Sequence, residues 1–292
     1  MKDYSKDDPI GGKTMEWVTI GEMSVDELVD YCWSIYQNPK TRFYPIMDNR
    51  EDIRKVLNGA IRDETLLILR DGDDYAILPL IVDCEGKYLQ AVGGIACERK
   101  YQEFAEMFYK YIRQKYKGYQ FFIGYPSSNR EAIDFLGQEG FQCVDKLIRY
   151  ERILSDHDKF TSSTFTEDLK RDGEEAFSDY HNRLYPDAYW NGTRILANRD
   201  KWTIRTIDVS PITGSVCAMN YQKQNRKYAE IYFLDSDNAN AMLLNDVLWS
   251  LSIRGVEKVI YLVEEIELDK IYGMETLGFE RIDDYRGYSI QI

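Results

Sequence analysis

Two stretches of this chain end alike, and that echo limits the folds open to it more than any other feature. Gly140-Phe141 is followed nine residues after the Phe by Tyr150, and Gly278-Phe279 nine residues after the Phe by Tyr288. Phe141 and Phe279 stand 138 residues apart, and Asp145/Asp283 keep the same offset. A self-similar period near half of 292 residues is too long for a solenoid and fits one domain-sized unit copied twice. Length alone agrees, since it suggests about two domains, each able to bury a core.

Charge narrows the function classes. A net charge of −13 and a pI near 4.8 repel phosphate backbones at long range, so no general nucleic-acid partner is expected. A locally basic pocket can still take a small phosphorylated ligand. Cys32, Cys84, Cys97, Cys143 and Cys217 are odd in number and lack Cys-x-x-Cys spacing, which reads as reduced thiols in a cytoplasmic protein. His157 and His181 are the two histidines, so a multi-histidine centre is excluded and no metal site is expected. Met1 to Lys13 lacks an apolar signal core, and no run approaches the roughly 18 apolar residues of a membrane span. No membrane association is expected.

The order of elements supports the doubling. Residues 1–14 read as a flexible arm. Ser24 with Glu27 three residues on is a helix start, and a second helix spans Asn49 to Ile61. Strand-like runs follow at Thr65–Leu69, Tyr75–Val82 and Tyr88–Ala96, then a helix with Phe104, Phe108 and Ile112 on one face. Phe121–Tyr125 reads as a strand, Asn129–Gln138 as a helix, and Leu147–Leu154 as a strand. The polar stretch 155–166 reads as a linker. The same order then returns: helices at Glu174–Asn182 and Thr193–Asn198, strands at Trp202–Val209, Ser215–Gln222 and Tyr228–Leu234, and a helix carrying Leu244, Val247 and Leu251. Val256–Val263, Leu268–Thr276 and Arg281–Gln291 complete it. The expected domains are 15–154 and 167–292, each a mixed α/β (α+β) unit with one central sheet flanked by helices.

Asn129-Arg-Glu-Ala132-Ile-Asp-Phe-Leu136-Gly-Gln-Glu-Gly140-Phe141 resembles the C-terminal motif of the GNAT N-acetyltransferase superfamily in its Asn, its Ala three residues on and its closing Gly-Phe. With the preceding strands and helix and the echo at Gly278-Phe279, the resemblance covers nearly the whole chain as two tandem GNAT-like domains. It implies acetyl-CoA, or another acyl-CoA, bound in a V-shaped gap between the fourth and fifth strands. The diphosphate would rest on amides at the start of the long helix, where unpaired N–H groups and the helix dipole favour an anion.

Both halves depart from the family's Arg/Gln-x-x-Gly-x-Gly/Ala loop. The first half offers Arg99-Lys-Tyr-Gln102-Glu-Phe104, keeping the Arg and losing both glycines. The second offers Asp235-Ser-Asp-Asn238-Ala239-Asn240-Ala241, with Asn in the glycine places; Asn tolerates positive φ best after Gly. Arg99 and Lys100 would attract a diphosphate, whereas Asp235 and Asp237 would repel it. The Tyr that protonates the departing thiolate in many members is Leu136 in one half and Met274 in the other, with Tyr272 two residues earlier. A Glu on the fourth strand acts as base in several members, and Glu230 holds such a place, whereas the first half has Gln90.

Each residue also has a plainer reading. Glu230 is either a solvent-facing strand residue or the base. Asn129 is an N-cap alone or a cap that also meets the cofactor. Arg99 and Lys100 are a solvated pair or an anion site. His181 reads as a surface histidine in the aromatic segment Tyr185, Tyr189, Trp190, which is the candidate substrate wall together with Tyr232. The expected function is acyl-CoA-dependent N-acetylation of an amine on a small molecule or peptide, with the second half as the chemical one. Two alternatives stand beside it: a non-catalytic binding or regulatory protein of the same fold, and a Fem-type aminoacyl transferase, which the acidic charge disfavours.

Overall fold

A computed structural model describes residues 15–43, 49–155, 158, 160–186, 188–208, 211–223 and 226–292. The expected arm 1–14 lies outside the described residues. Along the chain, β1 (Glu16–Trp17) precedes helices α1 (Val25–Tyr36) and α2 (Arg50–Arg62). Strands β2 (Leu66–Asp71), β3 (Asp74–Asp83), β4 (Tyr88–Ala91) and the short β5 (Ala96–Cys97) lead to α3 (Tyr101–Lys115), β6 (Gln120–Tyr125), α4 (Arg130–Gln138) and β7 (Gln142–Ile153). The second pass has β8 (Thr166–Asp168), α5 (Glu174–Leu184), α6 (Gly192–Ala197), β9 (Trp202–Ile207), β10 (Gly214–Lys223) and β11 (Arg226–Ser236). It closes with α7 (Asn240–Ile253), β12 (Lys258–Glu264), α8 (Leu268–Thr276) and β13 (Glu280–Gln291). Gln120 and Lys258, Arg130 and Leu268, and Gln142 and Glu280 open matching elements, each pair at the 138-residue spacing of the echo.

That echo has a local cause. Gly140 and Gly278 sit at φ of 78° and 76°, a region that glycine enters without steric cost. The amide of Phe141 donates to the Leu136 carbonyl, and that of Phe279 to Met274, each at 3.0 Å. This is the helix-terminating turn in which the residue after the glycine reaches back to the last full turn and packs on it. Leu136 and Phe141 share one core, Met274 and Phe279 another.

The chain forms two compact units, Met1–Lys146 with Asp284–Ile292, and Leu147–Asp283. They do not divide at 155–166, which falls inside the second unit. The reason is a buried polar network: Asp246 on α7 accepts the Ser163 amide at 3.0 Å and the Thr166 hydroxyl at 2.5 Å, and Arg205 donates to Thr166 and Ser162. These bonds fasten 162–166 to the second sheet.

In the first unit the sheet runs β1-β2-β3-β4-β6-β13, all antiparallel except the parallel β4–β6 pair. In the second it runs β7-β12-β11-β10-β9-β8, all antiparallel except the parallel β11–β12 pair. The strand after each Gly-Phe therefore completes the sheet of the other copy: Arg286–Gln291 pairs with β6, and Leu147–Ile153 with β12. Helices cover the sheets with their apolar faces, α3 through Phe104, Phe108 and Ile112, α7 through Leu244, Val247 and Leu251. Ser24 opens α1 with the expected reciprocal cap to Glu27. Among the described residues no helix is long and apolar enough to cross a membrane.

Candidate functional site

Parallel strands β11 and β12 pair only from Tyr228/Lys258 to Ile231/Tyr261. Beyond that point β11 stays with β10 and β12 with β7, so the two strands part and a wedge opens. The parting coincides with a bulge. Ala218 faces Ile231 and Cys217 faces Phe233, which leaves Tyr232 as the extra residue on β11. A bulge bends a strand and re-aims its side chains. Here Tyr232 and Phe233 both join the aromatic cluster beneath α5 and α6, while Ile231 and Leu234 belong to the core under α7.

The α5 face of this wedge is aromatic. Tyr185 lies 4.7 Å from Phe233, Trp190 5.5 Å from Trp202, and Trp202 5.5 Å from Tyr232, all between ring centroids. Tyr189 stacks edgewise on Trp190 but is largely exposed, with Arg194 over its ring. Thus Tyr185, Trp190 and Tyr232 share one face, and Tyr189 stands at its rim. Glu230 reaches the same face: the Tyr221 hydroxyl is 2.9 Å from that of Tyr232 and donates to Glu230 at 3.4 Å. Burial, then the Glu230 charge, holds the Tyr221 phenol well above its ordinary pKa, so it stays a neutral donor. Across the wedge Tyr261 is buried, and no described residue hydrogen-bonds its hydroxyl; burial and then Glu267 keep it protonated.

Sequence reasoning placed His181 on the surface. The structure buries it completely, on the inward face of α5, because Phe177, Tyr185 and Phe233 close around the ring. The spacing Phe177, Tyr180, His181 is a helical stripe that carries this signal in the sequence.

At the wedge mouth, the loop 235–240 leads into α7. The Ser236 hydroxyl accepts the Ala239 amide at 2.8 Å, and Asn240 donates to Asp269 at 2.7 Å. Asn238 and Asn240 are not in the positive-φ region, so neither replaces a glycine as expected. Ser236 does the turn's work instead by capping the chain locally. No side chain caps the first amides of α7, at Asn240, Ala241 and Met242, which leaves backbone donors for an anion. Asp235, Asp237 and Asp269 oppose it electrostatically.

The first unit differs at each of these points. Its β4 pairs with β6 only through Gln90/Phe122, and a break at Gly93-Gly94 separates β4 from β5 where one unbroken strand was expected. Gly94 adopts φ +89°, and a Cβ there would lie 2.6 Å from the Tyr125 ring. Tyr125 fills the gap: its hydroxyl accepts the Ile95 amide at 2.7 Å and the Tyr101 hydroxyl at 2.7 Å. Both phenols are buried and held neutral by that burial. At the head of α3, Lys100 takes positive φ and its ammonium binds Asp71 and Asp74, both at 2.8 Å; Arg99 pairs with Asp74 at 2.6 Å. The cations expected to draw a diphosphate are neutralised at home. Asn129 is engaged locally, its side-chain oxygen accepting the Ala132 amide and its nitrogen donating to the Arg42 carbonyl while the residue is 2% exposed.

Leu136 and Met274 are buried apolar residues, and Tyr272 is 73% exposed. Among the described residues no group of three or more His, Cys, Asp or Glu side chains is arranged to hold a metal ion.

No family model matches the sequence, and no curated protein does. Solved structures do match the fold. A GCN5-related N-acetyltransferase from Sphaerobacter thermophilus superposes with a TM-score of 0.67 at 10% identity, covering 96% of this chain and 95% of that one. A tandem GNAT protein from the clavulanic acid biosynthesis pathway gives 0.59 at 11% identity, covering 96% and 98%. A putative acetyltransferase from Pyrococcus horikoshii gives 0.56 at 11% identity, covering 99% and 93%.

Proposed function

We propose, from the premise that this chain has the tandem GNAT fold, that it is an N-acyltransferase whose second unit holds the acyl thioester and the amine. The observation that carries this reading is the bulge at Tyr232 at the point where β11 and β12 part. Past it, β11 has no ladder partner on its β12 side, so its backbone groups there are left for an extended, amide-bearing ligand. An acyl-CoA, acetyl-CoA first among them, would supply an activated thioester carbonyl. Tyr232 to Ser236 would line its arm, with Asn238 and the amides of Ala239, Asn240 and Ala241 at its diphosphate end.

The aromatic face formed by Tyr185, Tyr189, Trp190 and Tyr232 would take the acceptor, a small-molecule or peptide amine. Glu230, linked through Tyr221 to Tyr232, would draw the ammonium form and remove its first proton. Arg99 and Asn129 serve the architecture of the first unit. Calorimetric titration with acetyl-CoA tests the reading: one site per chain is expected, with thermal stabilisation that grows with ligand concentration. Neither heat nor stabilisation at saturating cofactor would remove it.

One set of observations favours a second reading, a non-catalytic protein of this fold. Asp235, Asp237 and Asp269 crowd the α7 terminus, and no tyrosine occupies the Met274 or Leu136 position. Under that reading no thiol is released across an amine panel, and Glu230→Gln changes nothing.

A further inference from the structure

His181 carries an unmet chemical need. Its Nε2 lies 2.9 Å from the carbonyl oxygen of Trp190. A carbonyl only accepts, so Nε2 bears the proton, and in the neutral ring Nδ1 is then a bare lone pair. Nδ1 is buried and has no hydrogen-bond partner. Leaving a buried acceptor unpaired is destabilising, a cost that a phenylalanine in the same stack would avoid.

The neighbours do not meet that need. On α5, the Tyr180 hydroxyl is given to Asp235 at 3.0 Å, and Arg183 lies over the Tyr180 ring. Phe177 and Phe233 are apolar, and the Cys217 thiol on β10 makes no hydrogen bond to the ring. Tyr185 packs on both His181 and Phe233, at 5.1 and 4.7 Å, and no described residue holds its hydroxyl. Phe233 directly follows the bulge. The imidazole therefore packs directly on Phe233, the residue after the bulge, and on Tyr185, whose hydroxyl no described residue hydrogen-bonds.

We propose that His181 Nδ1 is the proton acceptor for the incoming amine, and that Tyr185 covers it until the acceptor displaces that ring. The proposal rests on the acyltransferase reading and deepens it: the acceptor is a molecule that delivers an N–H donor into an aromatic layer. Acylation of an ammonium sheds two protons. The first leaves before attack, toward Glu230. The second becomes acidic as the nitrogen lone pair forms its bond to the acyl carbon, while the carbon–sulfur pair departs on the thiolate. That proton bonds to Nδ1, giving an imidazolium whose Nε2–H stays on the Trp190 carbonyl. A weakly basic imidazole suffices because the nitrogen is by then cationic.

Two histidines in the chain make the test direct. Nitrogen NMR of the labelled full-length protein should show one imidazole as the Nε2–H tautomer, assigned by its loss in His181→Gln. Its Nδ1 resonance should move on adding glycinamide or phenethylamine without cofactor. His181→Gln, which can keep the donor to Trp190, and His181→Phe, which keeps the stack, should lower kcat by about 10²–10⁴-fold with acetyl-CoA affinity unchanged. An Nδ1–H tautomer, an Nδ1 signal indifferent to both amines, or wild-type turnover in both variants would overturn the proposal. Wild-type protein that fails to bind acetyl-CoA would sink the acyltransferase reading alone, and the cofactor-free NMR would still decide whether His181 meets an amine.

Discussion

The amide of Ile95 donates to the hydroxyl of Tyr125 at 2.7 Å, and through that bond the first unit closes its own wedge. One acyl-CoA per chain should therefore bind, and a calorimetric stoichiometry of two would show the plug to be displaceable. Tyr125→Phe leaves the Ile95 amide and the Tyr101 hydroxyl without their buried partner. It should cost about 1–3 kcal/mol, read as a lower urea midpoint.

Deleting 284–292 should unfold the first unit selectively. Those residues supply the β13 partner of β6, and Asp284 accepts both the amide and the hydroxyl of Ser127, at 2.8 and 2.7 Å. Hydrogen exchange should lose protection across 120–125 while 258–264, paired with β7, keeps it. Equal protection in both segments would contradict the exchange of strands.

Charge at the α7 terminus gives a third expectation. Asp235→Asn and Asp237→Asn each remove a carboxylate near the amides proposed for the diphosphate. Each should tighten acetyl-CoA binding by about 2–5-fold, the size of one charge at a helix terminus, and the gain should shrink in high salt. Weaker binding in both variants would place the diphosphate elsewhere.

Glu230→Gln keeps the shape of the acceptor face and removes its charge. Turnover should fall by about 10²-fold with cofactor affinity unchanged, as measured by thiol release. Undiminished turnover would return Glu230 to an ordinary strand position.

His181 should also mark the pH dependence of stability. Burial lowers its pKa below the ordinary 6.5, with the Trp190 bond opposing. The unfolded chain then binds more protons than the folded one as pH drops below 6.5, so stability declines on acidification through that window. Near the ring, Tyr180, Tyr185 and Cys217 are neutral there, and Asp235 is engaged by Tyr180. His181→Phe should flatten the decline in urea midpoint between about pH 6.5 and 5; an unchanged slope would mean the imidazole titrates normally.

Particular residues show how far a sequence can be read. The doubling was legible because Gly140-Phe141 and Gly278-Phe279 are helix terminators, and a turn that needs positive φ and an apolar residue after it writes itself into local sequence. Most helices and strands were legible for the same reason, through caps such as Ser24 and stripes such as Phe104, Phe108 and Ile112. Three things were not. Lys100 and Arg99 looked free, but their partners Asp71 and Asp74 come from β2 and β3. His181 looked exposed, but Phe233 arrives from a strand 52 residues on. The boundary looked like 155–166, but Asp246 and Arg205 reach back to it.

The sequence by itself determined that the chain is one unit written twice, because the repeat lies in short-range turns and periodicities. Only the tertiary structure decided which wedge stays open, where the units divide and that His181 is buried. Those outcomes depend on contacts between residues far apart in the chain, where a single ring such as Tyr125 occupies or vacates a space that no local pattern records.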